Sequence, residues 1–281
     1  MPLSLGLARN TRYAMTRYSV LFDIGNTNIK IGFANSVSIL ASYSLPTEYR
    51  NTGDGLGVAL EGLRRHLDAG SGMGLDFGLD GMDACVGSSV APAMTPLVQY
   101  AIKRFWGKNL ILVPEDIPVP LENRYANPYE VGADRLVGAY AARCLLPDAR
   151  SLISVDYGTA TTFDCVTDNI YLGGLICPGL LSSLEALASR TAKLPRIALN
   201  VEDGGPVVGR STDVSINHGF IFGFADMTAG LCRRLTESME GPVSVVATGG
   251  FAKSLASVVT LFDHVRPDLL LEGLRLLYYT K

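Results

Sequence analysis

The chain has 281 residues, 48% of them hydrophobic and 18% charged, with a formal net charge of −3. That apolar content supports a large core and excludes a disordered chain. The acidic balance argues against a surface built to hold nucleic acid, and no apolar run is long enough to span a bilayer.

Five cysteines (Cys85, Cys144, Cys165, Cys177 and Cys232) are odd in number and carry no C-x-x-C pair. They read as small hydrophobes in a reducing, cytoplasmic compartment rather than as a disulfide frame or a zinc site. Residues 1–16 contain Arg9 and Arg12, no acid, and no continuous apolar run of the kind a signal peptide needs. They are expected to form a disordered leader.

From residue 18 the pattern becomes regular. The β-branched and aromatic run at 18–24 predicts a buried strand that ends at Gly25-Asn26. Strands at 28–34 and 37–44 follow, the first joined by a tight hairpin turn. Leu56, Leu60, Leu63 and Leu67 recur at helical spacing and predict a helix over 55–68. A glycine-rich surface loop is expected at 69–81. Strands at 83–87 and 109–113 flank a helix from 93 to 106. The stretch 114–131 holds Pro114, Pro118, Pro120, Asn123, Asn127 and Pro128 and reads as an ordered functional loop. A helix opens near Gly132 and stops before Pro147.

The pattern then restarts. Residues 151–156 form a second apolar strand that ends in aspartate. The run Asp23-Ile-Gly-Asn-Thr-Asn is matched by Asp156-Tyr-Gly-Thr-Ala-Thr. Strands at 160–166 and 170–177, helices at 180–189 and 213–237, a strand at 243–247 and a last helix at 268–278 complete the second half. Alternating strands and helices specify an α/β protein. The weak internal repeat divides it into 17–146 and 147–281.

The repeated turn carries the chemistry. Glycine lets backbone N–H groups approach an anion closely. An aspartate at the strand end can hold Mg²⁺ through water, and nearby hydroxyls can reach phosphate oxygens. One such turn would be an ordinary hairpin. Two of them, with a third glycine turn at Thr248-Gly249-Gly250, point to a clamp around a nucleoside triphosphate. Gly132-Ala133-Asp134-Arg135 opens a helix. There an acid can simply complement the macrodipole, or it can serve as a general base kept ionised by that dipole, with Arg135 binding a carboxylate or phosphate bidentately. Ser189 to Pro195 reads as a solvated helix end whose Arg and Lys complement the dipole, and Gly209-Arg210-Ser211-Thr212 as an N-cap or a ligand contact.

These segments resemble type III pantothenate kinases, members of the acetate kinase, sugar kinase, Hsp70 and actin superfamily. The likeness covers 18–278 and rests on an ordered set. That set is Asp23-Ile-Gly-Asn-Thr-Asn-Ile-Lys, Asn127-Pro128 with Val131-Gly-Ala-Asp-Arg, Asp156-Tyr-Gly-Thr-Ala-Thr-Thr-Phe-Asp, Tyr171-Leu-Gly-Gly with Pro178-Gly-Leu, Arg190-Thr-Ala-Lys-Leu-Pro, Thr248-Gly-Gly and Leu271-Glu-Gly-Leu. Residues 1–16 have no counterpart in the family pattern, and Tyr157 replaces a commoner phenylalanine.

The resemblance implies two similar ribonuclease H-like, actin-like ATPase domains with the active site in the cleft between them. It implies ATP-dependent phosphorylation of pantothenate to 4′-phosphopantothenate, the first step of coenzyme A biosynthesis, in a homodimer. Asp134 matches the proton acceptor. Asp23, Ile24, Gly25, Asn26, Thr27, Asn28, Ile29, Lys30 and Thr159 match the ATP contacts. Tyr125, Gly132, Ala133, Asp134, Arg135 and Thr212 match the pantothenate contacts. Asp156 matches the ligand of a monovalent cation, K⁺ or NH₄⁺, beside Mg²⁺. Two other readings are compatible with this fold: a kinase for another small molecule, and a non-catalytic nucleotide-binding accessory regulator.

Overall fold

A computed structural model of the chain describes residues 17–48, 52–70, 77–201 and 208–280. The expected leader and the centre of the glycine-rich loop lie outside them.

The first half contains β1 (Tyr18–Ile24), β2 (Asn28–Ala34), β3 (Ile39–Pro46), α1 (Gly53–Gly70), β4 (Met82–Ser89), α2 (Thr95–Trp106) and β5 (Leu110–Leu112). A two-residue strand, β6 (Glu122–Asn123), and α3 (Ala133–Leu145) follow. The second half contains β7 (Ser151–Tyr157), β8 (Ala160–Thr167), β9 (Ile170–Pro178), α4 (Leu180–Arg190), α5 (Thr212–Glu237), β10 (Val243–Gly249), α6 (Ala252–Leu255), β11 (His264–Val265) and α7 (Leu269–Tyr279).

Each half builds one mixed sheet, and the two sheets have the same plan. The first runs β3-β2-β1-β4-β5. The second runs β9-β8-β7-β10-β11, with β6 added in parallel beside β9. In both, the first three strands are antiparallel and the last two join in parallel. The central strands β1 and β7 are buried along their whole length except at one half-buried residue, which is Asp23 in β1 and Asp156 in β7.

Strands this apolar need cover on both faces. On one face of the first sheet, Val20, Phe22 and Ile24 pack with Leu56 and Leu60 of α1 and Val98 and Ile102 of α2. In the second, Ile153 and Val155 pack with Leu180, Ala225 and Leu255 of α4, α5 and α6. The other faces are covered by exchange. Leu271, Leu274 and Leu277 of α7, the last helix of the second half, join Leu21 and Val86 in the first sheet. Leu136, Ala139 and Ala142 of α3, the last helix of the first half, join Leu152 and Val166 in the second sheet. The two helices cross where Gly273 meets Val137, and a Cβ at Gly273 would lie 2.7 Å from the Val137 carbonyl oxygen. A side chain there would hold the helices apart.

The predicted elements recur with small shifts at their ends. β3 starts at Ile39 rather than at 37 because Asn35 Oδ1 accepts bonds from the N–H groups of Val37 and Ser38, both at 2.8 Å, and holds them in a turn. β6, α6 and β11 were not expected. Elements of two to four residues are too short to show a period. β6 lies inside the proline-rich stretch 114–131, where its pairing to β9 supplies the order.

Candidate active site

Both central strands end on their aspartate as the chain turns. Asp23 pairs in register with Lys30 of β2, and Asp156 with Thr162 of β8. The first turn is closed by the Gly25 N–H, which donates to the Asn28 carbonyl at 3.0 Å. Within Asp23–Lys30, the side chains of Ile24 and Ile29 belong to the core, whereas Asn26, Thr27 and Asn28 face outward. Any ligand can therefore meet the two isoleucines only through their backbone.

The two turns meet. Thr27 Oγ1 and Thr159 Oγ1 share a hydrogen bond of 2.9 Å across 132 residues of chain. The third glycine turn closes on the second, because Gly249 has φ +90° and a Cβ there would collide with Asp156 Oδ1 and the Tyr157 backbone. Only glycine combines that left-handed backbone with so close an approach.

Charge is concentrated here. Burial pushes Asp23 up to about 7; Asp134 and Asp156 add to the rise and Lys30 opposes it. Burial pushes Asp156 up to about 6, opposed by Lys30 and reinforced by Asp134. Lys30 Nζ is anchored by donating to the Pro267 carbonyl at 3.1 Å, just before α7. Asp23 and Asp156 share the one ammonium of Lys30 while Asp134 presses on both, which leaves this end of the cleft short of positive charge. Among the described residues, no three His, Cys, Asp or Glu side chains converge as a cage made only of protein ligands would require. The donor set suits a cation that shares its shell with water and phosphate oxygens.

Asp134 is the second residue of α3, and its Oδ1 accepts a bond from the Arg135 N–H at 2.8 Å. On the general-base reading, the dipole of the helix start keeps this acid ionised. Instead, burial raises its pKa, against the opposing pull of the Arg135 N–H and guanidinium. Desolvation penalises the charged form more than the helix end rewards it.

Arg135 does not wait in open solvent with its fork free. Its Nε and Nη2 lie 2.8 and 2.7 Å from Asp164 Oδ1 of β8. The Tyr171 hydroxyl of β9 donates to the same oxygen at 2.8 Å, and Thr162 Oγ1 reaches Asp164 Oδ2 at 3.4 Å. Burial pushes Asp164 up to about 6, opposed by Arg135 and Tyr171. Tyr125 stands beside this group. Its N–H donates to Asn123 Oδ1 of β6 at 3.0 Å, and its ring covers Gly173, whose φ is +110°.

Asp134, at the start of α3, thus lies beside the two turns, and Arg135 and Tyr125 group next to it around Asp164 and Gly173, but Thr212 joins neither group. It opens α5 just after its N-cap Ser211, which accepts from the Val214 N–H at 3.3 Å. It lines a separate groove of about 870 Å³ between α4 and α5, with Leu187, Leu194, Phe220 and Phe224. Arg190 and Lys193 are exposed at the end of α4.

Sequence reasoning assigned no role to Asp164, Tyr171 or Gly174. The available signal was an aspartate inside the apolar strand run Phe163-Asp-Cys-Val, since a buried charge demands a partner.

Residues 19–234 match the family profile described as type III pantothenate kinase. A protein of that name from Nitratidesulfovibrio vulgaris (strain DP4) is 60% identical over 264 residues, 94% of this chain and 98% of the relative. Another, from Lawsonia intracellularis (strain PHE/MN1-00), is 50% identical over 94% of this chain and 96% of the relative. The crystal structure of a protein described as a Baf family transcriptional activator from Campylobacter jejuni superposes with a TM-score of 0.56 at 18% identity, covering 93% of this chain and 98% of the other. At that identity the likeness is one of fold.

Proposed function

This chain belongs to the type III pantothenate kinase family and phosphorylates pantothenate with ATP in coenzyme A biosynthesis; we propose that the transfer takes place between the two aspartate turns, with Asp134 as the proton acceptor. The contact between Thr27 and Thr159 carries this reading, because it brings both turns to one point beside Asp134. Gly25, Asn26, Thr27, Asn28, Lys30 and Thr159 cradle the triphosphate, and Ile24 and Ile29 anchor that loop in the core. Tyr125, Gly132, Ala133, Asp134 and Arg135 hold pantothenate.

In the reaction the terminal hydroxyl oxygen of pantothenate bonds to the γ-phosphorus. The bond from that phosphorus to the bridging oxygen breaks, ADP departs, and the hydroxyl proton passes to an Asp134 carboxylate oxygen. The transition state of such a transfer is loose, so orientation and charge matter more than base strength. A carboxylate whose pKa is raised by burial accepts the proton closer to neutral pH than an exposed one would.

Mg²⁺ on the phosphates and K⁺ or NH₄⁺ at Asp156 would supply the positive charge that the three carboxylates call for. We further infer a cytoplasmic homodimer. The apolar groove along α5 supports a subunit contact, with Thr212 at its edge belonging to a pantothenate pocket near that contact.

A coupled assay of ADP release with purified protein, Mg-ATP, K⁺ and pantothenate tests the assignment. Asp134→Asn should lower kcat by about 10³-fold, within the usual range for loss of a general base, while Mg-ATP still binds. Near wild-type turnover would overturn Asp134 as the base.

A further inference from the structure

We infer that Asp164 is a positioning residue of this enzyme: with Tyr171 and Thr162 it fixes the guanidinium of Arg135 in the orientation that meets the pantothenate anion. This rests on the reading that Arg135 binds pantothenate.

The geometry is specific. An arginine presenting its full fork to a ligand carboxylate makes two parallel bonds. Here Nε donates to one oxygen of Asp164, and Nη2 lies 2.7 Å from the same oxygen as an ion pair but is buried without a hydrogen-bond partner of its own. Both partners are nearly enclosed, with side-chain exposures of 9% for Arg135 and 5% for Asp164. The Tyr171 hydroxyl caps the same Asp164 oxygen, and the Tyr171 ring lies 6.0 Å below the guanidinium carbon. On β9, a Cβ at Gly174 would collide first with the Phe163 carbonyl of β8 and would lie 3.1 Å from Nη2, so both strands pass close against the guanidinium. Strands β8 and β9 and helix α3 therefore meet on one side chain.

Arg135 has several rotatable bonds, and freezing them in advance removes an entropy cost that substrate binding would otherwise carry. The aspartate also offsets part of the guanidinium charge. The anion is thus held by a partly neutralised, oriented donor rather than by a bare cation, which favours release of the more highly charged phosphorylated product.

The test is a double-mutant cycle read through KM and kcat. Arg135→Gln alone should raise the KM for pantothenate by about 10- to 100-fold, the range usual when a partner that orients a ligand is lost. If it leaves that KM unchanged, the parent reading of Arg135 fails. Given a raised KM in Arg135→Gln, Asp164→Asn should raise the pantothenate KM by a similar factor and leave the KM for ATP unchanged. The double variant should be no worse than Arg135→Gln. An Asp164→Asn enzyme that keeps the wild-type pantothenate KM, or a double variant whose losses multiply, would overturn the inference. A purely structural role would lower the folded fraction, and with it kcat, without moving KM. If Asp164→Asn does not fold, Tyr171→Phe replaces it in the cycle. It removes one hydroxyl and keeps the ring, and should raise the pantothenate KM by about 2- to 5-fold. An unchanged KM there counts against the inference.

Discussion

The two halves of the molecule use one plan for opposite ends. Leu271 is the third residue of α7 and packs on Gly32 of β2, where a Cβ would lie 3.1 Å from its Cδ1. Arg135 is the third residue of α3 and pairs with Asp164 of β8. Gly32 and Asp164 occupy equivalent places, each two residues beyond the partner of the turn aspartate: Leu21 pairs with Gly32, and Ser154 with Asp164. Where the first half seals its sheet with leucine on glycine, the second inserts an ion pair. A dry contact stabilises the fold. A buried ion pair adds little net stability, because desolvation consumes most of its Coulomb energy, but it orients a charge. Apolar packing thus fills this crossing in one half, and in the other it is filled by the ion pair that we propose orients Arg135.

The largest test of that contrast is Leu271→Ala. The side chain is fully buried, so the substitution should cost about 3 kcal/mol, read as a shift of the denaturant midpoint. The pantothenate KM should stay at the wild-type value in the folded enzyme. A raised KM with unchanged stability would break the comparison.

A second test concerns the turn aspartates. Asp23 has a folded pKa of about 7, above its ordinary value, chiefly through burial. The folded state therefore favours the protonated form. The corresponding stability is present below about pH 4 and lost as pH rises toward 7. Asp23→Asn should remove that loss. Without ligands, the variant should be more stable than the wild type at pH 8 by about 1–2 kcal/mol, a value reduced by the residue's partial access to water. The gain should shrink as the pH approaches 4, and the kinase should be inactive throughout. Lower stability at pH 8 would mean that Lys30 outweighs burial.

The smallest effect is expected for Gly32→Ala. Its new methyl would meet only the tip of Leu271, which can give way, so the cost should be about 1 kcal/mol or less. A loss as large as that of Leu271→Ala would show that β2 and α7 are locked in place more tightly than their side chains require.

Much of this was written in the chain itself. The periodicities placed nearly every long strand and helix, because most of them turn one face inward and so carry a regular apolar pattern. The repeated aspartate turn was legible as a repeat, and the fold brings its two copies together at Thr27 and Thr159. Glycines with one permitted use, such as Gly249 beside Asp156, were visible as punctuation. Ile24 and Ile29 were counted among the nucleotide contacts because they sit in the motif; only the fold assigned their side chains to the core.

What the sequence by itself determined is local: which segments are strands and helices, which turns can approach an anion, and which family the chain resembles. What only the tertiary structure decided is which distant residues share an environment. The exchange of α3 and α7 between the sheets brings Arg135 to Asp164, and the meeting of the turns brings Asp134 close enough to raise the pKa of both Asp23 and Asp156. Burial and pairing depend on neighbours far apart in the chain. A single aspartate reads the same in any sequence until the fold determines how much water it keeps and which charge it faces.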